Sequence, residues 1–190
     1  MTLHYGDCRE MMKKLTTGSV DLIVTSPPYP NMGMPYGDTF TEASYLEFSR
    51  EWLTEAVRVL AENGSLWINV GWIAGQKGLR APLTYLLWPI VGALDLHLQQ
   101  EIVWVKPNRP SPSNIRFTTR SERWMWLTKA PRGHTFNLDA VRTPLSENQG
   151  KDVRNNPLGS NPTDIWDFAP VWGNSKDRPD HPCPFPLPMI

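Results

Sequence analysis

Cysteine is scarce in this chain. Cys8 and Cys183 are the two present in 190 residues, which gives neither a disulfide framework nor a metal-binding spacing. The four histidines, at 4, 97, 134 and 181, are scattered without a ligand pattern, so no metal is expected. Net charge is also missing: 19 basic residues balance 19 acidic ones, and no global field draws the protein to a polyanion. No signal-peptide pattern is present at the start. The longest apolar stretch, Leu83 to Leu98, is broken by Thr84, Pro89 and Asp95, which excludes a membrane span. A reducing, cytoplasmic setting is the expectation. No two of the 13 glycines are separated by a single residue, so the tight Gly-x-Gly turn of a dinucleotide site is absent, and glycines 71, 75 and 78 read as loop residues.

What is there alternates. Thr2 to Gly6 reads as a strand, Arg9 to Leu15 as a short helix, and Val20 to Val24 as a buried strand. Residues 31–39 form a loop rich in Gly, Met and Pro. Thr39 and Glu42 match a capping box. The helix that follows carries Tyr45, Phe48, Trp52, Ala56, Val59 and Leu60 at helical spacing and ends in a left-handed cap at Asn63-Gly64. Ser65 to Val70 reads as a strand, and Pro82 to Leu94 as a helix with Pro82 in its first turn. Gln100 to Val105 and Trp124 to Thr128 are further strands. Alternation predicts a single α/β unit, a parallel sheet with helices on both faces. From Pro157 onward the chain holds eight of its 19 prolines; this tail cannot form a regular helix or central strand, although Asp164 to Phe168 suits one short extended element. Residues 1–144 and 145–190 are thus two regions of different character.

The most telling segment is Thr25-Ser26-Pro27-Pro28-Tyr29-Pro30, directly behind the Val20 to Val24 strand. Consecutive prolines stop the strand and bias the residues before them toward extended backbone. Ser26 and Pro27 are then held with carbonyl oxygens that no ladder consumes, beside the aromatic face of Tyr29. Acceptors and a stacking surface at the end of a parallel strand lie where open α/β sheets bind ligands. The plain alternative is a proline-rich turn.

Charge is unevenly spread. Lys106, Arg109, Arg116, Arg120, Arg123, Lys129 and Arg132 are opposed by Glu122 alone, so this segment carries +6 and the remainder −6. Interleaved Pro, Ser, Asn and Thr favour a phosphate-contacting loop over a solvated face. Arg109, Asn114, Arg116 and Arg120 are of the types that read base edges. Most of the nine tryptophans, such as Trp52, Trp67 and Trp104, fall at positions that suit a core.

Ser26-Pro27-Pro28-Tyr29 resembles the catalytic motif of the S-adenosylmethionine-dependent DNA amino-methyltransferases, which methylate cytosine N4 or adenine N6. Tyr5-Gly6-Asp7-Cys8, Trp104 to Asn108, Arg120 to Trp124, Phe136 to Asp139, Asp164 to Asp167 and His181-Pro182-Cys183-Pro184-Phe185-Pro186 follow in an order similar to members whose catalytic part comes first. The resemblance implies a Rossmann-like methyltransferase sheet and catalysis by Ser26, Pro27, Pro28 and Tyr29. It implies S-adenosyl-L-methionine bound by Asp7, Ser26, His181, Phe185 and Pro186, with Asp7 alternatively a helix N-cap. It implies double-stranded DNA as partner, contacted by Lys106, Arg109, Asn114, Arg116 and Arg120, with the target base extruded into the pocket. The Ser-Pro-Pro-Tyr and Phe-Pro forms lean toward cytosine N4, with adenine N6 the alternative.

One departure matters. In the family the His-Pro-x-x-Phe-Pro element leads to a helix and a strand ending in Asp-Pro-Phe-x-Gly-Ser-Gly; here no Gly-x-Gly exists. The open readings are a truncated or inactive remnant, a split form complemented by another polypeptide, or weak cofactor binding. A non-catalytic nucleic-acid-binding module, and methylation of protein or RNA, are the rival readings. On the first two accounts the isolated chain is expected to be slow or inactive.

Overall fold

The long strand Leu60–Val70 (β2) is apolar at its start, polar over Glu62 to Ser65 and apolar again from Leu66 apart from Asn69, and it lies inside the main sheet. The computed structural model of the protein describes residues 2–30, 39–74, 80–107, 114–171, 173, 179–181 and 183–190. Before β2 come α1 (Cys8–Met12), β1 (Val20–Thr25) and α2 (Glu42–Val59). After it come β3 (Trp72–Ala74), β4 (Arg80–Pro82), α3 (Leu83–Ala93), β5 (His97–Val105), β6 (Ser121–Thr128), α4 (Glu147–Gly150) and β7 (Ile165–Asp167).

The main sheet has the order β1-β2-β6-β5-β7, and β3 pairs with β4 in a separate ribbon. The class is α/β, as the alternation implied, and Rossmann-like, as the resemblance implied, but the sheet is mixed rather than parallel. β1 pairs with β2 in parallel and β7 with β5 in parallel, whereas β6 runs antiparallel to both β2 and β5. The physical reason lies at Lys106, whose N–H donates to the Arg120 carbonyl at 2.7 Å. That bond closes the connection as a long hairpin, so the chain must return antiparallel.

Three local expectations differ from the structure. Among the described residues Thr2 to Gly6 has no strand partner, and it stays irregular. The cap of α2 is Thr41, whose side chain accepts from Ser44 N–H, two residues past the expected box. Asn63-Gly64 does not end α2; the backbone turns extended at Leu60 and these residues lie inside β2. Gly64 is required there by close approach, since a Cβ would stand 2.8 Å from the Asp21 carbonyl oxygen. This contact sits at the register shift between Val20 and Leu22.

Alternation along β2 divides the molecule. Leu66, Ile68 and Val70 join Met125 and Leu127 to form one face, on which Tyr45, Trp52, Leu53 and Ala56 of α2 and Leu83, Leu87, Ile90 and Val91 of α3 pack. The opposite face is aromatic. Trp67 stacks on Trp126 at 5.2 Å and on Trp166 at 5.7 Å, and Phe185 lies 5.0 Å from Trp124. The proline-rich tail supplies Trp166, Phe168, Phe185 and Met189 to this face. It is pinned by Val103 N–H to the Asp164 carbonyl and by the Trp104 indole N–H to the Phe168 carbonyl, both 2.7 Å. Each aromatic pair adds about 0.5–1.5 kcal/mol beyond burial. At the far end of this face, β1 has one strand neighbour among the described residues, and Leu22 and Val24 are 56% and 36% exposed.

Burial of Tyr45 pushes its phenol pKa far above the ordinary value, and Tyr29 is raised by the same cause. A raised phenol pKa stabilises the fold below the unfolded value near 10 and is lost above it, because the unfolded chain then binds fewer protons. Each such group is expected to remove about 1.4 kcal/mol per pH unit above roughly pH 10. Melting temperature recorded from pH 8 to 12 checks this; a flat profile would show that neither phenol is held protonated.

Candidate active site

Parallel pairing of β1 with β2 places their carboxyl ends side by side, with Thr25 opposite Ile68. The chain beyond Thr25 therefore runs along Asn69, Val70 and Gly71. Ser26 is exposed, Pro27 and Pro30 are buried, and Pro28 and Tyr29 are half-buried. Among the described residues no donor reaches the Pro27 carbonyl. Tyr29 turns its hydroxyl toward Asn69, reaching its carbonyl oxygen and Oδ1 at 3.4 Å each. Asn69 in turn donates from Nδ2 to the Arg123 carbonyl at 3.2 Å. The Tyr29 phenol is raised first by burial and then by the negative charge of Glu122, while a hydrogen bond with the Ser26 side chain opposes the shift. The phenol is thus a neutral hydrogen-bonding group, not a base.

The acid comes from β6. Glu122 follows in register from the Val70–Arg123 pair and forms an inward ion pair with Lys106, whose ammonium also lies 4.1 Å from the centre of the Trp104 ring. Lys106 is therefore engaged within the hairpin. Asn114 and Arg116 are exposed, and Arg120 is exposed while donating to the Pro107 carbonyl at 2.6 Å. Arg109 lies outside the described residues. Phe117, next to Arg116, is 98% exposed.

The last element of the chain meets the same region. Phe185 packs on Trp124, the β6 residue paired with Asn69. His181 is exposed and its Nδ1 accepts from Cys183 N–H at 3.1 Å; Pro186 is buried. Tyr29 and Phe185, distant in sequence, are thus linked through the paired residues Asn69 and Trp124. Asp7 stands at the start of α1. It caps α1 by accepting from Arg9 N–H at 2.9 Å, and pairs with the Arg9 guanidinium, which also reaches Glu51 at 2.5 Å. Hydrogen bonds from Arg9 lower its carboxyl to about 2.

Asp7→Ala is expected to cost about 1 kcal/mol through the lost cap, and Asp7→Asn only a few tenths. Urea unfolding of both variants checks this. Equal losses would assign the effect to the exposed ion pair, which contributes little.

The sequence did not assign Asn69, Gly71 or Glu122 to the site; Gly71 reads there as a loop glycine and Glu122 as the lone acid of the basic segment. The available signals were a polar residue inside the apolar run Leu66 to Val70 and a glycine directly after it. Among the described residues there is no cluster of metal-ligating side chains and no helix long and apolar enough to cross a membrane.

A family model described as DNA methylase (N6_N4_Mtase) matches residues 20–190. The type II methyltransferase M.ScaI of Streptomyces caespitosus is 34% identical over 197 residues, covering 99% of this chain and 63% of its own length. M.BglII of Bacillus subtilis is 33% identical over 196 residues, covering 99% of this chain and 54% of its own. The fold matches that of the PvuII cytosine-N4-specific DNA methyltransferase with a TM-score of 0.71 at 15% identity, over 97% of this chain and 65% of that one. It also matches a Thermus thermophilus protein assigned as a DNA modification methylase and solved with S-adenosyl-L-methionine, with a TM-score of 0.61 at 25% identity, over 97% of this chain and 69% of that one. The chain spans between about half and 63% of the length of these two curated relatives. With the Ser26-Tyr29 segment seated at the carboxyl end of β1, the match over residues 20–190 establishes that this chain belongs to the DNA methylase family.

Proposed function

We propose that these residues form the base-binding and amino-activating part of a DNA amino-methyltransferase, with cytosine N4 the favoured acceptor. The observation that carries the reading is the neighbourhood of Ser26, the Pro27 carbonyl and Tyr29 at the ends of two parallel strands. An exocyclic amino nitrogen is a poor nucleophile because its lone pair is delocalised into the ring. The Ser26 side chain and the Pro27 carbonyl accept its two hydrogens, favouring a pyramidal nitrogen with a localised lone pair. The stabilisation grows toward the transition state, so it lowers the barrier rather than only tightening binding. Tyr29 supports the extruded base. The inward ion pair of Lys106 with Glu122 closes the β6 side, leaving Asn114, Arg116 and Arg120 as DNA contacts.

S-adenosyl-L-methionine, when bound, supplies an electrophilic methyl carbon. The residues present fit part of such a group. Phe185 lies against Trp124, whose buried indole nitrogen has no hydrogen-bond partner, an unfilled donor beside the expected cofactor segment. Ser26 and Phe185 are the groups that would hold it; His181 and Pro186 shape the approach, and Asp7 is committed to its cap. No Gly-x-Gly turn is present to cradle the methionine end. The lean to cytosine rests on the Ser-Pro-Pro-Tyr form, since both amino groups suit the same acceptor pair.

The test is incubation of duplex DNA with the protein and isotopically labelled S-adenosyl-L-methionine, followed by nucleoside analysis. Labelled N4-methylcytosine is expected. N6-methyladenine in its place overturns the base assignment. No labelled nucleoside, alongside intact DNA binding, favours either the non-catalytic reading or a form that needs a complementing polypeptide.

A further inference from the structure

We propose that Asn69 and Gly71 are positioning residues that fix the height and tilt of the Tyr29 ring beneath the target base. The inference rests on the base-binding reading above and adds two residues that the catalytic motif does not contain.

Asn69 is 2% exposed and interrupts the apolar run Leu66 to Val70. A buried polar side chain needs partners, and this one has them on both sides. Its Nδ2 donates to the Arg123 carbonyl across the β2–β6 pair. That bond orients the amide so that Oδ1 faces the Tyr29 hydroxyl. The single phenolic proton is shared between Oδ1 and the Asn69 carbonyl. One end of the ring is thereby tied to the sheet.

Gly71 secures the other side by leaving space. Its φ lies outside the left-handed region, so its backbone does not require glycine. What a side chain would meet is the ring: a Cβ would stand 3.1 Å from Tyr29 Cε2 and 3.6 Å from Glu122 Cγ. The first distance is too close, so the ring must move outward. The glycine is thus a spacer for the tyrosine, and alanine is expected to displace the ring by a few tenths of an ångström or more.

The full chain is prepared with 3-fluorotyrosine, and the Tyr29 fluorine resonance is assigned by its loss in Tyr29→Phe. Gly71→Ala and Asn69→Ala are expected to move that resonance while the Tyr45 resonance stays in place. In methyl transfer to duplex DNA, kcat is expected to fall about 10- to 100-fold, by analogy with small misplacements of reacting groups, with KM for DNA within about threefold. Asn69→Ala and Tyr29→Phe remove the same bond, so the double variant should lose no more than the worse single one. An unmoved Tyr29 resonance in both variants overturns the proposal. So does a moved resonance with kcat unchanged within about twofold, or a change confined to KM. If the unsubstituted chain binds DNA but transfers no methyl and raises no fluorescence from 2-aminopurine at the target position, the base-binding reading has failed. The positioning role falls with it, whereas a defect confined to the variants leaves that reading intact.

Discussion

Ser26→Ala is expected to slow methyl transfer by about 10²–10³-fold, the usual loss when one preorganised partner of a transition state is removed. The side chain contributes one of two acceptors, and the Pro27 carbonyl remains. Residual transfer should therefore persist. Binding of DNA should change by no more than about threefold, because the acceptor acts most strongly as the amino nitrogen becomes pyramidal. Ser26→Thr retains an oxygen at the same position and should recover much of the rate. The measurement is the initial rate of label transfer with enzyme in excess, which isolates chemistry from product release. A rate within about fivefold of the parent would place the chemistry elsewhere. Ser26 is exposed, so the fold should tolerate both changes, and a matching melting temperature would exclude unfolding as the cause.

Trp124→Ala is expected to be the most destabilising single change outside the helical core. The side chain is 2% exposed and touches both Trp166 and Phe185, 6.5 Å and 5.0 Å away. Truncating a buried tryptophan typically costs about 3–5 kcal/mol, which lowers the melting temperature by on the order of 10 °C in a chain of this size. The loss should also be local. Phe185 and Trp166 hold the proline-rich tail to the sheet, so the tail should become cleavable by protease before the α2–β2–α3 core opens. Chemical denaturation gives the first quantity, and mass mapping of early fragments gives the second. Cleavage that begins instead in α2 would show that the aromatic face does not secure the tail.

What could be read from sequence was local; what could not was cross-strand. The Ser26-Tyr29 segment was legible because prolines act on their own backbone and on the residue before them. Helices α2 and α3 were legible from apolar spacing, and their ends moved by a few residues. Asn63-Gly64 resembled a cap, but β2 begins at Leu60 and the pair serves a close approach to Asp21. Thr2 to Gly6 had strand-like composition and found no partner to pair with. The mixed sheet followed from one hairpin, Val105 to Ser121, whose direction no periodicity encodes. Lys106 was counted among the phosphate contacts on a charge sum that includes Glu122 but not its place opposite Lys106 across that hairpin. Asn69 and Gly71 were missed for the same reason: their importance comes from register with Tyr29 and Glu122, not from neighbours in the chain.

The stacked indoles of Trp67, Trp126 and Trp166 have a use beyond cohesion. Rings this close and nearly parallel share their electronic excitation, so their ultraviolet signature belongs to the stack and not to any one of them. The first two rings sit on β2 and β6, and the third sits on β7, the edge strand that the tail contributes. The molecule therefore carries its own optical gauge, one that distinguishes a seated tail from a detached one without dye or isotope.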